Sequence, residues 1–189
     1  MSDLGRRMGQ AGGIRTEQQR LLRLHRYWLS ICGKRPMPTR KDIDPAAVSD
    51  ILKDVMVVEA LSRDPDEAQA GRPLFRYRLI GTGVTQAAGY DLTGATFDDL
   101  PDPAFRRFCQ RLFEGVMADG KPRSAAGRRL IACERWAFDS LVLPLSDTGD
   151  LVTGFLAALV YPREWNHGLW PRPSWNWHRN NASETDPPE

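Results

Sequence analysis

The stretch FRYRLIGTGVTQAAGYDLTG, residues 75–94, decides the fold. It opens as a strand, because Phe75, Tyr77 and Leu79 alternate with arginines in the period-two pattern of a half-buried strand. The strand stops at Gly81, where a short amphipathic helical turn follows, and a second glycine-bounded turn closes the stretch. A strand that breaks sharply into one or two helical turns predicts a chain that leaves a sheet edge and wraps a concave face.

The sequence on either side predicts an alternation of helices and strands. In chain order the predicted elements are a helix over 16–32, a short helix over 45–52, strands over 55–61 and 75–80, a helical turn over 97–100, a helix over 103–119, and strands over 123–132, 135–145 and 151–161. Asp44 and Asp102 each precede a proline, which is the usual start of a helix, and Gly120 ends the long one.

The topology follows from the last strand, which is almost wholly apolar and must pair with the first strand to bury its faces. Two hairpins bring it there. The sequence therefore predicts an α+β fold with a five-stranded antiparallel sheet in the order 2-1-5-4-3. Helices cover one face, and an N-terminal helical extension precedes the sheet. This is the topology of a PAS domain.

Composition divides the chain into four parts. Residues 1–15 are rich in Gly, Arg and Gln and are predicted to be disordered. Residues 16–53 hold the N-terminal helices and a Pro-rich crossing segment, and residues 54–161 form the PAS core. Residues 162–189 hold four of the six tryptophans among prolines without a helix or strand period, which favours a tail laid over its own body or a partly disordered end. The alternative is that these tryptophans are anchors for a partner surface.

Several separately spaced motifs carry a family resemblance. They are Tyr27-Trp28, the segment from Arg35 to Pro45, Tyr77-Arg78-Leu79 with Gly81-Thr82, the turn from Gly89 to Gly94, and Leu143-Pro144-Leu145. Over about residues 20–162 the sequence resembles the stand-alone PAS proteins of alphaproteobacteria, a family once filed as a domain of unknown function. The resemblance implies a bacterial sensory or interaction module linked to signalling, and it brings no catalytic residue set.

The charge distribution is uneven although the net charge is only +2. Residues 1–40 hold nine Lys/Arg against two acids, a net +7, so the remaining residues sum to −5. A basic arm of this kind is more often a solvated helix face than a nucleic-acid site. We therefore expect no nucleic-acid partner.

The cysteines Cys32, Cys109 and Cys133 and the three histidines show no metal-ligand spacing, so no metal site is predicted. Three scattered cysteines favour a reduced, cytoplasmic setting. No stretch is apolar and long enough for a signal peptide or a membrane span, so neither is predicted.

The motifs that suggest catalysis or nucleotide binding have simpler explanations. The pair Gly81-x-Gly83 would need a third glycine at Gln86 to make a dinucleotide loop. The carboxylates Asp98 and Asp99 precede a helix, where acids are favoured for structural reasons. The sequence therefore predicts no catalytic residues and a protein that is not an enzyme.

Cys109 and His25 are the candidate cofactor ligands. Cys109 lies on the apolar face of a predicted helix and is expected in the core. The Asn-Cys-Arg-Phe-Leu-Gln-like signature of flavin-binding PAS domains is absent. His25 lies in the N-terminal helix, away from any pocket, which argues against a haem. No cofactor is identified.

The space between sheet and helices is the candidate ligand site. The large side chains that can line it are Tyr77, Phe97, Phe105, Trp136, Phe138 and Phe155. A packed core is the default outcome for these residues, and a small-molecule cavity is the alternative. Arg78 and Arg128 are candidate partners for a ligand carboxylate, although surface exposure is expected for both.

The N-terminal helix carries an apolar stripe formed by Leu21, Leu24, Trp28 and Ile31. The stripe can pack on its own domain, form a homodimer contact, or do both.

Our leading hypothesis is a non-enzymatic PAS module that signals through contact with a partner protein, a second copy included, with a small ligand in its core. A shift in helix packing would pass through the N-terminal helix. The alternatives are a nucleic-acid-associated regulator that uses the basic arm and an enzyme on an α+β scaffold.

Overall fold

The computed structural model describes residues 16–61, 71–131 and 134–161. The elements in these ranges are the helices α1 (Thr16–Cys32), α2 (Thr82–Ala88) and α3 (Pro103–Asp119) and the strands β1 (Val55–Leu61), β2 (Leu74–Ile80), β3 (Arg123–Ile131), β4 (Glu134–Leu145) and β5 (Gly154–Val160). Short 3-10 helices lie at Arg40–Asp42, Pro45–Val48, Leu52–Asp54 and Phe97–Asp99. The predicted disordered N-terminus, 1–15, and the Trp-rich tail, 162–189, lie outside the described residues.

The five strands form one antiparallel sheet in the order β2-β1-β5-β4-β3, which confirms the predicted topology. The first and last strands pair as expected, with Val55 opposite Ala158 and Val58 opposite Phe155. Because β5 has a strand on each side and both of its faces are covered, every residue from Phe155 to Val160 is buried.

Two predicted boundaries are wrong. The short helix over 45–52 is a pair of 3-10 turns that bring Val48 and Ile51 into the core. The last strand begins at Gly154 and not at residue 151. The chain stays in a loop up to that point, where the Ser146 hydroxyl donates to the Leu151 carbonyl at 2.6 Å and the Leu151 side chain is exposed.

Both faces of the sheet are covered. Side chains alternate between the faces along each strand. Phe75 and Phe155 meet Phe113 of α3 on one face. α1 packs against β4 on the other, where the Trp28 indole Nε1 donates to the Pro144 carbonyl at 2.9 Å. The N-terminal extension is therefore part of the same hydrophobic core as the PAS sheet.

α2 starts in direct contact with the Leu52–Asp54 turn. A Cβ atom on Gly81 would lie 2.3 Å from the Lys53 carbonyl oxygen, so a larger residue does not fit there. A Cβ atom on Gly83 would lie 2.7 Å from a carboxylate oxygen of Asp54. The glycine pair that resembled part of a nucleotide loop is thus explained by the close approach of α2 to the chain that leads into β1.

Candidate functional site

A cavity lies between the sheet and the helices α2 and α3. The centre of a water molecule can move within about 40 Å³ of it, and the atom-free space between its walls is about 590 Å³ when the opening to solvent is included. A single water needs roughly 10–15 Å³ on the first measure, so the enclosed part is room for a few waters or a small ligand. Most of the wall is apolar, with Met56, Val84, Phe105, Leu112, Val142 and Leu159 among its residues.

Some polar groups in this wall are already satisfied. The Ser140 hydroxyl donates to the Ala125 carbonyl at 2.8 Å, and the Thr85 hydroxyl donates to the Gly81 carbonyl at 3.2 Å. Both bonds lie within the protein's own framework. The polar groups that remain for a ligand belong to the tyrosines and to one arginine.

Arg129 of β3 is the central polar residue of the cavity wall. It is only 5% exposed, whereas its neighbours Arg128 and Leu130 point outward and are exposed. Its guanidinium carbon lies 4.3 Å from the centre of the Phe105 ring, and its Nη1 donates to the Tyr161 hydroxyl at 3.2 Å. Its Nε is buried and has no hydrogen-bond partner among the described residues. The charge is therefore held in place, and its Nε–H donor is unused among the described residues.

No carboxylate of the described residues forms an ion pair with Arg129. Asp102 is close enough to feel its charge, but the Asp102 oxygens accept hydrogen bonds from the backbone N–H groups of Ala104, Phe105 and Leu130. Burial alone would raise the pKa of Asp102, and those hydrogen bonds together with Arg129 lower it instead. Asp102 thus serves as the cap of α3, and within the described residues the arginine charge has no acidic partner.

Burying an unpaired charge costs several kcal/mol in a real protein. A guanidinium cannot avoid that cost by losing its proton. Stacking on an aromatic ring offsets about 0.5–2 kcal/mol of this burial cost, and the hydrogen bond to Tyr161 offsets a further part. The site therefore contains a positive charge whose burial the described residues only partly compensate.

Apart from Asp102, the ionisable groups around Arg129 keep their protons at neutral pH. Burial raises the pKa of Tyr77, Tyr90 and Tyr161, and raises that of the Cys109 thiol to about 12, while the arginine charge opposes each shift without cancelling it. Burial lowers the pKa of Arg129 itself, but its interactions with Tyr161 and Tyr90 outweigh this, and the net shift is upward. The cluster can donate hydrogen bonds, and it contains no group poised as a base or nucleophile.

The structure distributes the six predicted pocket residues among different surroundings. Tyr77 and Phe105 line the cavity. Phe97 and Phe155 do not; they belong to the aromatic cluster around Phe113.

The other two predicted residues lie towards the edge strand. Phe138 stands behind the cavity wall and meets Phe105 edge-on at 5.5 Å between ring centres. Trp136 packs against the small cluster of Ala87 and Ile131. Four of the six residues are therefore packed against other side chains, as the default expectation has it, and only Tyr77 and Phe105 line the cavity.

The two arginines singled out from the sequence lie outside the cavity. Arg78 pairs with Glu59 at 3.4 Å, and Arg128 is exposed. The inward residue is Arg129, which sequence reasoning missed. Leu130 and Ile131 are both apolar, so the sequence of β3 does not reveal whether the odd-numbered or the even-numbered residues face inward. Gly127 could have indicated the inward face. It lies two residues before Arg129, on the same face of β3, and leaves room for the ring of Phe138 on the paired strand.

The remaining candidates for chemistry have structural roles. An oxygen of Asp99 accepts from the Thr96 backbone N–H at 2.7 Å and from its hydroxyl at 2.8 Å, which caps the short helix there. His25 stacks on Trp28 with ring centres 6.2 Å apart, on the face of the sheet away from the cavity. Cys109 is buried, as expected, and lines the cavity.

The apolar stripe of α1 packs within its own chain. Leu21, Leu24 and Trp28 are buried in the core, and Ile31 is half buried. A contact between two copies would have to use the opposite side of the helix, where Leu29 is 51% exposed.

The basic charges of the N-terminal region are partly neutralised. Arg20 pairs with Asp54, Arg23 with Asp50 at 3.0 Å, and Arg35 with Asp42 at 2.9 Å. The rest of the predicted basic arm, residues 1–15, lies outside the described residues.

The described ranges contain neither a metal-binding cluster nor a helix that could span a membrane. Three or more His, Cys, Asp or Glu side chains never come together there as they would around a metal ion. The helices in the same ranges lack the length and apolarity for crossing a membrane.

The profile of one protein family, described as PAS domain, matches residues 16–159. No functionally curated protein matches the sequence.

Solved structures with similar folds include the PAS domain of BvgS from Bordetella pertussis, which is 17% identical with a TM-score of 0.42; the alignment covers 75% of this chain and 88% of that one. A PAS domain from Colwellia psychrerythraea is 13% identical with a TM-score of 0.41, over 63% of this chain and 98% of that one. A light-oxygen-voltage domain studied with a flavin analogue is 10% identical with a TM-score of 0.45, over 63% and 84%.

Proposed function

The chain belongs to the PAS domain family, a family of sensory modules, and from that membership we propose that it is a non-enzymatic sensor. A small molecule occupies the core cavity and changes how the protein contacts a partner, which is another protein or a second copy of this chain.

The observation that supports ligand binding most strongly is the cavity together with Arg129. Protein interiors are close-packed, and voids larger than a water molecule are few. Buried polar groups without a partner are also rare, and each one calls for a physical explanation such as an ordered water, an ion or another bound group. Here the two features coincide, since the buried Nε of Arg129 belongs to a residue of the cavity wall. A bound molecule would account for both.

The protonation states favour a binding role over a catalytic one. An enzyme would need a group in this cavity that gains or loses a proton near neutral pH. Arg129, which is buried, and Tyr161, which is half-buried, are an ionisable pair within hydrogen-bond reach, and a catalytic site would also require such a pair. Both groups hold their protons, however, because the pKa of each is raised. The pair recognises an acceptor and does not activate a substrate.

A continuous set of contacts leads from the cavity to α1. Val84 and Ala88 of α2 line the cavity, and α2 begins against the Leu52–Asp54 turn. Asp54 is paired with Arg20 of α1. A ligand that displaces α2 therefore moves the turn and, through this ion pair, the helix on the far face of the sheet. We assign the exposed side of α1 as the surface that the partner contacts.

Native mass spectrometry of the purified protein tests ligand binding and oligomeric state together. We expect the folded chain to carry an additional non-covalent mass that is lost on denaturation. The variant Ala157→Leu fills the cavity from the centre of β5 and should carry less of it, once circular dichroism has shown that it folds. The proposal is contradicted if the native spectrum shows only the mass of the unliganded chain and no small amphipathic molecule in a test panel raises the melting temperature.

Light scattering on matched surface variants tests the output surface. Leu29→Glu changes the exposed side of α1, and Met117→Glu makes the same kind of change on α3, on the opposite face of the sheet. We expect Leu29→Glu alone to weaken self-association or binding of an identified partner. Equal behaviour of both variants and wild type would show that α1 is not the contact surface.

A further inference from the structure

The wall of the cavity contains one full charge, on Arg129. The other ionisable side chains that line it are the tyrosines 77 and 90 and Cys109, which are neutral in their protonated forms. In an otherwise apolar cavity, a fixed positive charge is the strongest determinant of which molecules bind. The charge of the site therefore indicates the class of ligand.

Arg129 is positioned to receive an anion and is not simply packed away. The guanidinium carbon lies over the Phe105 ring, and the Nη1 atom donates a hydrogen bond to Tyr161. This leaves Nε, which has no partner in the described part of the chain. Nε–H and the neighbouring terminal amino group together form the fork that meets a carboxylate with two parallel hydrogen bonds. A carboxylate would satisfy the orphan donor and neutralise the buried charge in one contact.

A second donor lies close by. The Tyr77 hydroxyl makes no hydrogen bond to any residue in the described ranges. Its side chain lines the same cavity and is near enough to Arg129 to be influenced by its charge. A protonated tyrosine beside a guanidinium favours an acceptor that carries negative charge and disfavours a cationic or donor-rich ligand.

The remainder of the wall limits the rest of the ligand. Ile80, Leu100, Phe108 and Leu112 offer only apolar surface, and the space in which the centre of a water molecule can move, about 40 Å³, suits a small body. A dianion would bring a second charge that this wall leaves unpaired, at a cost of several kcal/mol. One negative charge on a short apolar body fits both the charge and the lining.

We infer that the ligand of this cavity is a small monocarboxylate with an apolar body, whose carboxylate is bound by Arg129 and Tyr77. The inference rests on the proposed function, because it specifies the class of molecule that the sensor takes.

The test compares two probes of the same shape on the wild-type chain, hexanoate and hexanamide, by isothermal titration calorimetry and thermal shift. A hydrogen-bonded charge pair predicts that hexanoate binds roughly ten- to a hundredfold more tightly than the neutral amide. Arg129→Met should remove this preference. The matched control Arg128→Met changes the adjacent, exposed arginine of the same strand and should keep it.

The outcomes separate this inference from the proposed function. If hexanoate and hexanamide bind equally well, the carboxylate assignment is wrong and ligand binding itself stands. If the native spectrum reveals a co-purified molecule without an acidic group, the assignment is again wrong. If neither probe binds and no molecule co-purifies, both proposals fail. If Arg129→Met does not fold, the comparison of hexanoate with hexanamide on the wild-type chain still tests the carboxylate assignment.

Discussion

The guanidinium carbon of Arg129 lies 4.3 Å from the centre of the Phe105 ring, and this contact connects β3 to α3 at the wall of the cavity. The Phe105 ring is in turn held edge-on by Phe138, at 5.5 Å between centres and 84° between planes. Phe138 fits against β3 because the residue opposite it is Gly127. The position of the buried charge therefore depends on a glycine two residues away on the same strand.

Replacing Gly127 by alanine tests that dependence. The new Cβ would lie 2.6 Å from the ring tip of Phe138, so the ring must move. We expect Gly127→Ala to lower the free energy of unfolding by about 1–3 kcal/mol, the usual cost of overpacking a core. Urea denaturation followed by circular dichroism measures it.

Gly115→Ala in α3 is the matched control. Its new Cβ would meet only the guanidinium group of Arg123, at 2.9 Å, and that side chain is 45% exposed and can swing away. Because alanine favours helix over glycine by about 0.5–1 kcal/mol, this variant should be as stable as wild type or more so. Equal destabilisation by the two substitutions would show that Phe138 does not constrain Gly127.

Stability should fall at alkaline pH because buried groups of the cavity resist losing their protons. The Cys109 thiol has an ordinary pKa of 9.0, and burial raises its pKa to about 12 in the folded chain. Its contribution to stability is complete below pH 9.0. It is lost as the pH rises from there through the folded pKa, since the unfolded chain then releases a proton that the folded chain retains. The slope reaches about 1.4 kcal/mol per pH unit for each such group.

Urea unfolding between about pH 8 and pH 11 measures that slope. Cys109→Ala removes one of the contributing groups, so its stability should decline less steeply with pH than that of wild type. Identical slopes in the two proteins would mean that the thiol is not buried as the structure places it.

The ion pair between Arg20 and Asp54 should couple α1 to the turn beside α2. Its side chains are 23% and 10% exposed. A double-mutant cycle with Arg20→Met and Asp54→Asn should give a coupling energy of about 1–3 kcal/mol, because a partly buried pair is strongly destabilised by the loss of one partner.

The pair of Arg23 and Asp50 provides the control cycle on the same helix. Its side chains are 62% and 36% exposed, so its coupling energy should stay below about 1 kcal/mol. A coupling for Arg20 and Asp54 that is no larger than this would exclude the pair as a link between the cavity and α1.

The indole of Trp28 should be a major anchor of α1. Trp28→Phe removes the donor to the Pro144 carbonyl and leaves that buried oxygen without the bond. We expect a loss of about 1–3 kcal/mol in the free energy of unfolding. Leu29→Ala, at the adjacent exposed position, should cost less than about 0.5 kcal/mol. A small effect of Trp28→Phe would mean that α1 is held by apolar contacts alone.

The elements of the fold were predictable where local chemistry decides them. The alternation at Phe75 and Tyr77, the Asp102 cap and the Gly120 stop predicted β2 and the limits of α3, although Leu79, expected to face inward, is 43% exposed. The start of the last strand failed because it depends on a side-chain hydrogen bond that the pattern of apolar residues does not reveal. Leu151 looks like a strand residue, but the hydrogen bond from Ser146 keeps it in the loop.

The site was less predictable than the fold because burial of a charged residue leaves little trace in a sequence. Arg128 and Arg129 are adjacent and chemically identical, and only the pairing of β3 with β4 decides which one faces the cavity. Large aromatic residues were an equally weak guide. Phe155 is fully buried in the aromatic cluster, whereas Ala157, two residues further along the strand, lines the cavity. The cavity therefore lies beside small residues such as Ala157, where no large side chain fills the space.

The most direct test of the account is nitrogen-15 NMR of the Arg129 Nε–H group during titration of the wild-type protein with hexanoate, with Arg129→Gln used to assign the signal. We predict that the Arg129 resonance shifts progressively and saturates, while that of the exposed Arg128 does not move. Saturable binding of hexanoate with an unchanged Arg129 resonance would contradict the assignment of this buried arginine as the anion-binding group of the sensor.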